Sequence, residues 1–522
     1  SFFCRGEGTM RFDRTTKKVT IDGAVRPACN DGALPANGML YLGPWQCDCN
    51  LSLIGSIAKC SAGDFQFDHV ATNEERLEHY VAADEAITPL EVIDADWPTL
   101  RGDLQRTSSS PLGVAGRVTT RWQVTPASEQ TVAPPVAAGD LLFVAGADGC
   151  VRAYGSHDGE ERWTFATAAP IKSSPTVWNG RLYVGSGDGH AYCLEAASGR
   201  LLWRFRAAPV ERHIMVYGNL TSTWPVNSGV TLHDGVAYFA AGIIDHDGTY
   251  VYAVDAKTGE LKWQNNSAGH LAPELRKGVS VQGNMTVMGS QLLLAGGNQV
   301  SPAPFDINTG ELRAKPFAQG EPKSNGGQFV GSFLDKSAIV GGRILYSAAD
   351  NVATKGSFVA FSDKGAFALN YGGIPPAWNG ETMALVNFKF GKLACFDTSK
   401  VVARMTAGLP PDSDARRWVN LTDEMRAAGE SRWESDLGEG NKFEAVSIAV
   451  CPNAILAVVK QQLKFRARPQ WNLAALNARD GKPLWQQELQ GEPLPGGLLV
   501  DRHGQIVVSM LDGSMWSFGA AP

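Results

Sequence analysis

The chain has 522 residues, of which 44% are hydrophobic and 19% charged, and its formal net charge is −6. This is a foldable, mildly acidic composition, so it excludes a disordered tail, and it lacks the basic excess of a nucleic-acid binder. Apolar runs such as 236–244 are too short for a membrane-spanning helix.

Residues 1–96 hold five of the nine cysteines, at positions 4, 29, 47, 49 and 60. Their turn-rich setting predicts two disulfides among Cys4, Cys29, Cys47 and Cys49, with the pairing left open. Zinc is the poorer reading, because a single residue separates Cys47 from Cys49. Oxidised cysteines place the chain in an extracytoplasmic compartment, periplasmic or secreted. The first residue is Ser1, which reads as a processed or excised product. Strand-type runs occur at 18–22 and 39–42, and Asn73 is expected to cap a linker helix over 74–85. Cys150, Cys193, Cys395 and Cys451 lie in strand-like runs and read as small buried hydrophobes.

From about residue 97 the sequence repeats. Asp148-Gly149, a strand, Asp158-Gly159 and Trp163 recur 40 residues later as Asp188-Gly189, a strand, Ser198-Gly199 and Trp203. Further copies run through Asp247–Trp263, Phe305–Gly310, Phe358–Gly365, Leu393–Asp397, Leu473–Trp485 and Leu511–Phe518. Each copy alternates apolar runs with Asp/Gly turns, the pattern of short antiparallel strands. The last copy ends without its Trp-bearing strand. The segment 119–124, which carries Trp122, matches that missing strand and is expected to close a ring from the other end, removing two sheet edges.

The repeat resembles the PQQ-like (quinoprotein alcohol dehydrogenase-like) β-propeller family. The resemblance rests on the Asp-Gly turn, the Ala/Leu-rich third strand, the Thr/Ser/Asp-Gly turn and the tryptophans at 122, 163, 203, 263 and 485. The segment Asp96-Trp97-Pro98 to Asp103 looks like the lead-in of such propellers. The resemblance implies an all-β, eight-bladed propeller of four-stranded blades over 97–522, closed by an N-terminal strand and preceded by the cysteine-rich segment 1–96. Trp122, Trp163, Trp203, Trp263 and Trp485 are then docking tryptophans packed between blades. The fold hosts dehydrogenases, assembly factors and binding proteins alike, so function has to be argued from the site.

Extra residues enter at 206–227, 264–285 and 400–445, the last with an expected helix over 414–428. Lengthened loops on one face of a rigid ring are the expected place for a ligand. The candidate ligand residues are Arg212, His213, Trp224, Asn227, Asp245, His246, Lys460 and Arg466. Against them stand plainer readings. Arg212 can pin its own loop, Asp245 and His246 can form an ordinary turn, and Lys460 and Arg466 can sit on a solvated hairpin. The histidine and cysteine spacings give no metal signature, so no metal site is expected.

A quinoprotein of this family implies adjacent cysteines over the cofactor and acidic residues that hold calcium. This chain has no Cys-Cys pair. The expectation is therefore a binding or scaffold module without a redox cofactor, its loop-rich face taking a protein or an anionic polymer. Two alternatives remain: a PQQ-dependent dehydrogenase with PQQ and calcium, and a polysaccharide lyase or hydrolase.

Overall fold

The computed structural model describes the chain apart from residues 6–7, 23–31, 46–54, 61–68, 83–84, 127–129, 217, 271–277, 297–299, 314–327, 342–344, 347–352, 355–357, 363–364, 371–373, 388–391, 408–418, 437–442, 462–469 and 522. Antiparallel sheets follow one another along the repeat region. Sheet I contains Val136–Ala138, Leu141–Ala145, Cys150–Gly155 and Glu161–Ala166. Sheet II contains Thr176–Trp178, Arg181–Gly185, His190–Glu195 and Leu201–Arg206. Sheet III runs from Thr231–His233 to Leu261–Asn265, and sheet IV from Met285–Met288 to Ala303–Asp306. Sheet V begins at Phe329–Phe333, sheet VI at Ala377–Trp378, sheet VII at Phe443–Val450 and sheet VIII at Pro493–Val500. The outer strand of sheet VIII is Val118–Val124, which pairs with Met515–Ala520 from Met515↔Val124 to Ala520↔Val118. The two ends of the repeat region therefore share one sheet.

The repeated turns have a local cause. Asp148, Asp188 and Asp512 each accept a backbone N–H two residues on, at 3.1, 3.0 and 2.9 Å. Such Asx turns reverse the chain within four residues. In the turn between third and fourth strands, Asp255 and Asp306 accept N–H groups in the same way.

One device joins neighbouring sheets. The Trp163 indole N–H donates to the Ala196 carbonyl at 3.1 Å, Trp203 to Lys257 at 3.2 Å and Trp263 to Ile307 at 3.0 Å. Trp122 does the same to Ser156 at 2.8 Å, and Trp485 to Ala115 at 2.9 Å. Trp433, which the repeat alignment passes over, donates to Ala478 at 3.0 Å. The receiving turns carry Gly159, Gly199, Gly259, Gly310 and Gly481, with φ between +71° and +78°. A Cβ there would lie within 2.9 Å of the ring beneath it. Glycine is required twice over, by backbone conformation and by the flat approach of the indole.

The lead-in is the axial element. Trp97 exchanges backbone hydrogen bonds with Ala137 of sheet I, and Val177 of sheet II donates to the Pro98 carbonyl. Arg106 reaches Thr231 of sheet III at 3.1 Å, and Thr286 of sheet IV donates to Leu104 at 2.6 Å. Ser332 of sheet V donates to Gln105, Trp378 of sheet VI to Thr107, and Ser110 to Val450 of sheet VII. A segment this short reaches the first strands of sheets I through VII only from the centre of a ring. Arg101, Arg106 and Ser108 hold φ of +60°, +67° and +56°. Non-glycine residues keep such backbone only where the surroundings over-determine it. Here both buried guanidiniums are tied to carbonyls, Arg101 to Arg106 and Pro376, and Arg106 to Met285.

The N-terminal region departs from expectation in three ways. The helix is only Asn73–Arg76, and its cap is Thr72, whose N–H donates to Glu75 at 2.8 Å. The chain then turns extended, because Leu77–His79 pairs with Leu201–Arg206 as a fifth strand of sheet II. Cys4 is an exposed free thiol whose partner across the strand pair is Met10, in contrast to the expected disulfide. Cys29, Cys47 and Cys49 lie outside the described residues. Cys193, Cys395 and Cys451 are buried as expected, and burial pushes Cys395 and Cys451 up to about 12, whereas Cys150 is only half-buried. Alkylation of the native protein at pH 8 should label Cys4 and spare Cys193, Cys395 and Cys451 until denaturant is added, as read by peptide mass spectrometry. Labelling of those three without denaturant would contradict their placement.

Candidate functional site

Two faces follow from the strand order. The loops between second and third strands, and the connections from one sheet to the next, share an upper face. The turns between first and second and between third and fourth strands share the lower face. The connections 207–216, 218–230 and 278–284 are upper, while 462–469 and 271–277 lie outside the described residues. The expected insertion at 400–445 is not. Its extra residues lie between the strands Lys392–Asp397 and Ser431–Asp436 of sheet VI, hence on the lower side. It carries the helices Thr398–Ala407 and Leu421–Ala427; the second falls within the expected 414–428, of which 414–418 lie outside the described residues. Their buried residues Val401, Met405, Leu421 and Met425 pack on sheets V and VI, so this insertion covers core.

On the upper side the axis opens into a cavity of about 450 Å³, a size in the range of small-ligand sites. Thr99, Leu100 and Arg106 of the lead-in contribute to its lining, and so do Lys172, Asn227, Gln282, Asn284 and Gln328 from the connections that precede first strands. Lys172, Asn227, Gln282, Asn284 and Gln328 each come shortly before a first strand, and that is why residues far apart in sequence converge. Asn284 is locked by Val330, accepting its N–H at 3.0 Å and donating to its carbonyl at 2.7 Å. Gln282 donates to the Ile243 carbonyl at 2.7 Å.

The electrostatics of the cavity are one-sided. No Asp or Glu is among the described residues that line it. Lys172 touches cavity solvent, yet the surrounding wall lowers its pKa below the ordinary lysine value by desolvation. The adjacent Ser173 and Ser174 hydroxyls are buried without hydrogen-bond partners among the described residues. Below them the buried Arg106 is pushed down to about 10 by desolvation, and it keeps its charge at neutral pH. Asp103 accepts from Thr107 and offsets one of the two floor arginines. The site thus presents a lysine and two serine hydroxyls without partners among the described residues, beside amides held by backbone groups.

Among the described sequence candidates, Asn227 alone lines this cavity. Arg212 is committed to its own loop. It pairs with Asp247 at 3.2 Å and lies 4.7 Å over the Trp224 ring. Trp224 is 6% exposed and its N–H donates to the Asp247 carbonyl at 2.8 Å, so it anchors the loop and is no exposed platform. His213 is exposed on the hairpin formed by His213–Val216 and Asn219–Ser222. The apolar side of that hairpin, Ile214 and Val216, packs with Leu42 of the N-terminal segment and Ile243. The insertion thereby serves a contact within the chain. Asp245 is buried in a short turn and receives no cavity exposure. The side chain of His246 and all of Arg466 lie outside the described residues. Lys460 stacks on Trp471 at 5.3 Å. The sequence reading missed Lys172, Gln282, Asn284 and Gln328. Their one signal is position: polar residues immediately before the first strand of a repeat.

Quinoprotein chemistry calls for an aromatic surface under the cofactor and carboxylates for its cation. The described lining contains neither an aromatic ring nor a carboxylate. The described residues of the cavity do not fit PQQ with calcium.

The family model described as outer membrane protein assembly factor BamB matches residues 116–365 and 416–521. A quinohemoprotein alcohol dehydrogenase of Comamonas testosteroni is 26% identical over 206 residues, 35% of this chain and 27% of that protein. A tetrathionate hydrolase of Acidithiobacillus ferrooxidans is 25% identical over 169 residues, 30% of this chain and 28% of that protein. The chain thus matches little more than a quarter of either relative's length. Among solved structures, a europium-containing methanol dehydrogenase superposes with a TM-score of 0.51 at 11% identity, covering 82% of this chain and 98% of that one. That last likeness is one of fold. With the repeat, the ring closure and the matched residues in agreement, the chain belongs to the PQQ-like repeat β-propeller family represented by the BamB model.

Proposed function

We propose that this protein is an extracytoplasmic binding module: an eight-bladed ring over 97–522, preceded by a separate segment 1–96, that takes an anionic ligand or the acidic part of a partner into its upper axial cavity. The observation that supports this reading is the lysine-serine-serine run Lys172–Ser174, whose charge and hydroxyls have no partner among the described residues, in a described lining without carboxylates. Buried polar groups left unspent are costly, and a ligand oxyanion satisfies them. The same lining argues against a dehydrogenase, because a cation-dependent quinone site needs acidic ligands. The tetrathionate hydrolase relative acts, by its name, on a sulfur oxyanion, which makes a small dianion a suitable first probe.

Calorimetric titration with sulfate, tetrathionate and PQQ, each with and without calcium, tests the proposal. Anion binding should be independent of calcium and fall at least tenfold in Lys172→Met, by about 1.4 kcal/mol or more. Binding should also weaken as pH rises through the lowered lysine pKa. Burial disfavours the charged lysine and the anion favours it, so the complex takes up a proton at alkaline pH. Absence of binding by all three anions would overturn the reading. Calcium-dependent PQQ binding with dye-linked alcohol oxidation would replace it by the dehydrogenase.

A further inference from the structure

The lower face holds a cluster unrelated to the cavity. Asp140 sits in the turn between the first two strands of sheet I, and His157 in the turn between its last two. His503 sits in the first turn of sheet VIII, between Pro493–Val500 and Ile506–Met510. All three are exposed. His503 Nε2 lies 2.8 Å from Asp140 Oδ1, and His157 Nε2 lies 3.7 Å from the same oxygen. The two imidazole centroids are 4.4 Å apart. One ligand atom from each residue lies within 4.8 Å of the other two.

We propose that Asp140, His157 and His503 form a zinc site that staples sheet I to sheet VIII. Two neutral imidazoles and one carboxylate are a common three-ligand set for Zn²⁺, with water in the fourth position. Ligand atoms about 2.0–2.2 Å from a tetrahedral zinc stand roughly 3.4 Å from one another. Exposed side chains reach that spacing from the present one by small rotations. The surrounding charges favour a cation. Asp501 is fully buried at the base of the His503 turn, with one oxygen holding the N–H groups of His503 and Gln505 at 2.9 Å. Its other oxygen has no hydrogen-bond partner among the described residues. The nearby cation Arg502 is spent on Asp96, at 2.8 and 2.5 Å. The three ligands come from turns of two sheets that meet next to the ring-closing strand Val118–Val124. A metal that binds only this arrangement stabilises the closed ring by mass action.

The test is zinc titration by calorimetry and thermal melting, on protein whose accessible thiols have been alkylated. Wild type should bind one zinc per chain in a saturable step. Its melting midpoint should rise by about 2 °C at a hundredfold excess over the dissociation constant, and EDTA should reverse the rise. Affinity should fall at least tenfold in His157→Gln and in His503→Gln, and both effects should vanish in the double variant. His233→Gln, remote from the cluster, should behave as wild type. Failure of wild type to bind zinc would overturn the proposal, as would a double variant that binds zinc as wild type does.

Discussion

Replacing Trp203 with alanine should destabilise the ring by about 3–5 kcal/mol, the usual cost of truncating a large buried aromatic. Trp203 is 2% exposed, lies 6.0 Å from the Tyr183 ring, and donates to the Lys257 carbonyl of the next sheet. The loss is therefore threefold: apolar burial, an aromatic contact and a hydrogen bond that leaves its acceptor in a dry seam. The opposite side of the seam gives an independent check. Gly259 has φ +78°, and a Cβ on it would stand 2.6 Å from Leu77 Cδ1 and 2.9 Å from Trp203 Cδ2. Gly259→Ala should therefore destabilise as well, by strain and overpacking. Urea unfolding followed by tryptophan fluorescence and circular dichroism reads both. A Trp203→Ala variant that unfolds at the parent's midpoint would remove the argument for this device at all of its other positions.

A chain beginning at residue 126 should not yield a soluble, cooperatively folding monomer. It lacks Val118–Val124, so Met515–Ala520 becomes an open edge with unpaired backbone groups. It also lacks the lead-in, which leaves acceptors and donors on the first strands of sheets I through VII facing an empty axis. Either loss alone is serious, and together they exceed the few kcal/mol by which domains are stable. Size-exclusion chromatography and a thermal melt decide the matter. A monomer with a single sharp transition would show that the ring closes without its N-terminal strand. A milder version keeps the chain intact. Arg106→Met should lower stability because the Met285 carbonyl and the Thr99 and Thr231 hydroxyls each lose a charged hydrogen-bond donor.

Local sequence was enough for the repeat, its strands and its closure. Asp/Gly turns, alternating apolar runs and spaced tryptophans act over a few residues, and each carries its physical cause within one unit. The tryptophan contacts were legible for the same reason, except at Trp433. There the helices Thr398–Ala407 and Leu421–Ala427 separate the third strand from the fourth and hide the spacing. What sequence could not supply was convergence. Arg212 and Trp224 have the residue types of a binding site, yet only the fold spends them on Asp247. Lys172, Gln282 and Asn284 look like ordinary loop residues until radial stacking brings the starts of the first strands around one axis. Asp140, His157 and His503 have no metal-ligand spacing, because they come from three turns of two sheets joined at the seam. Strand and turn propensities are local energies that each repeat carries in itself. The cavity and the lower cluster are products of ring closure, and that was decided by packing between residues hundreds of positions apart.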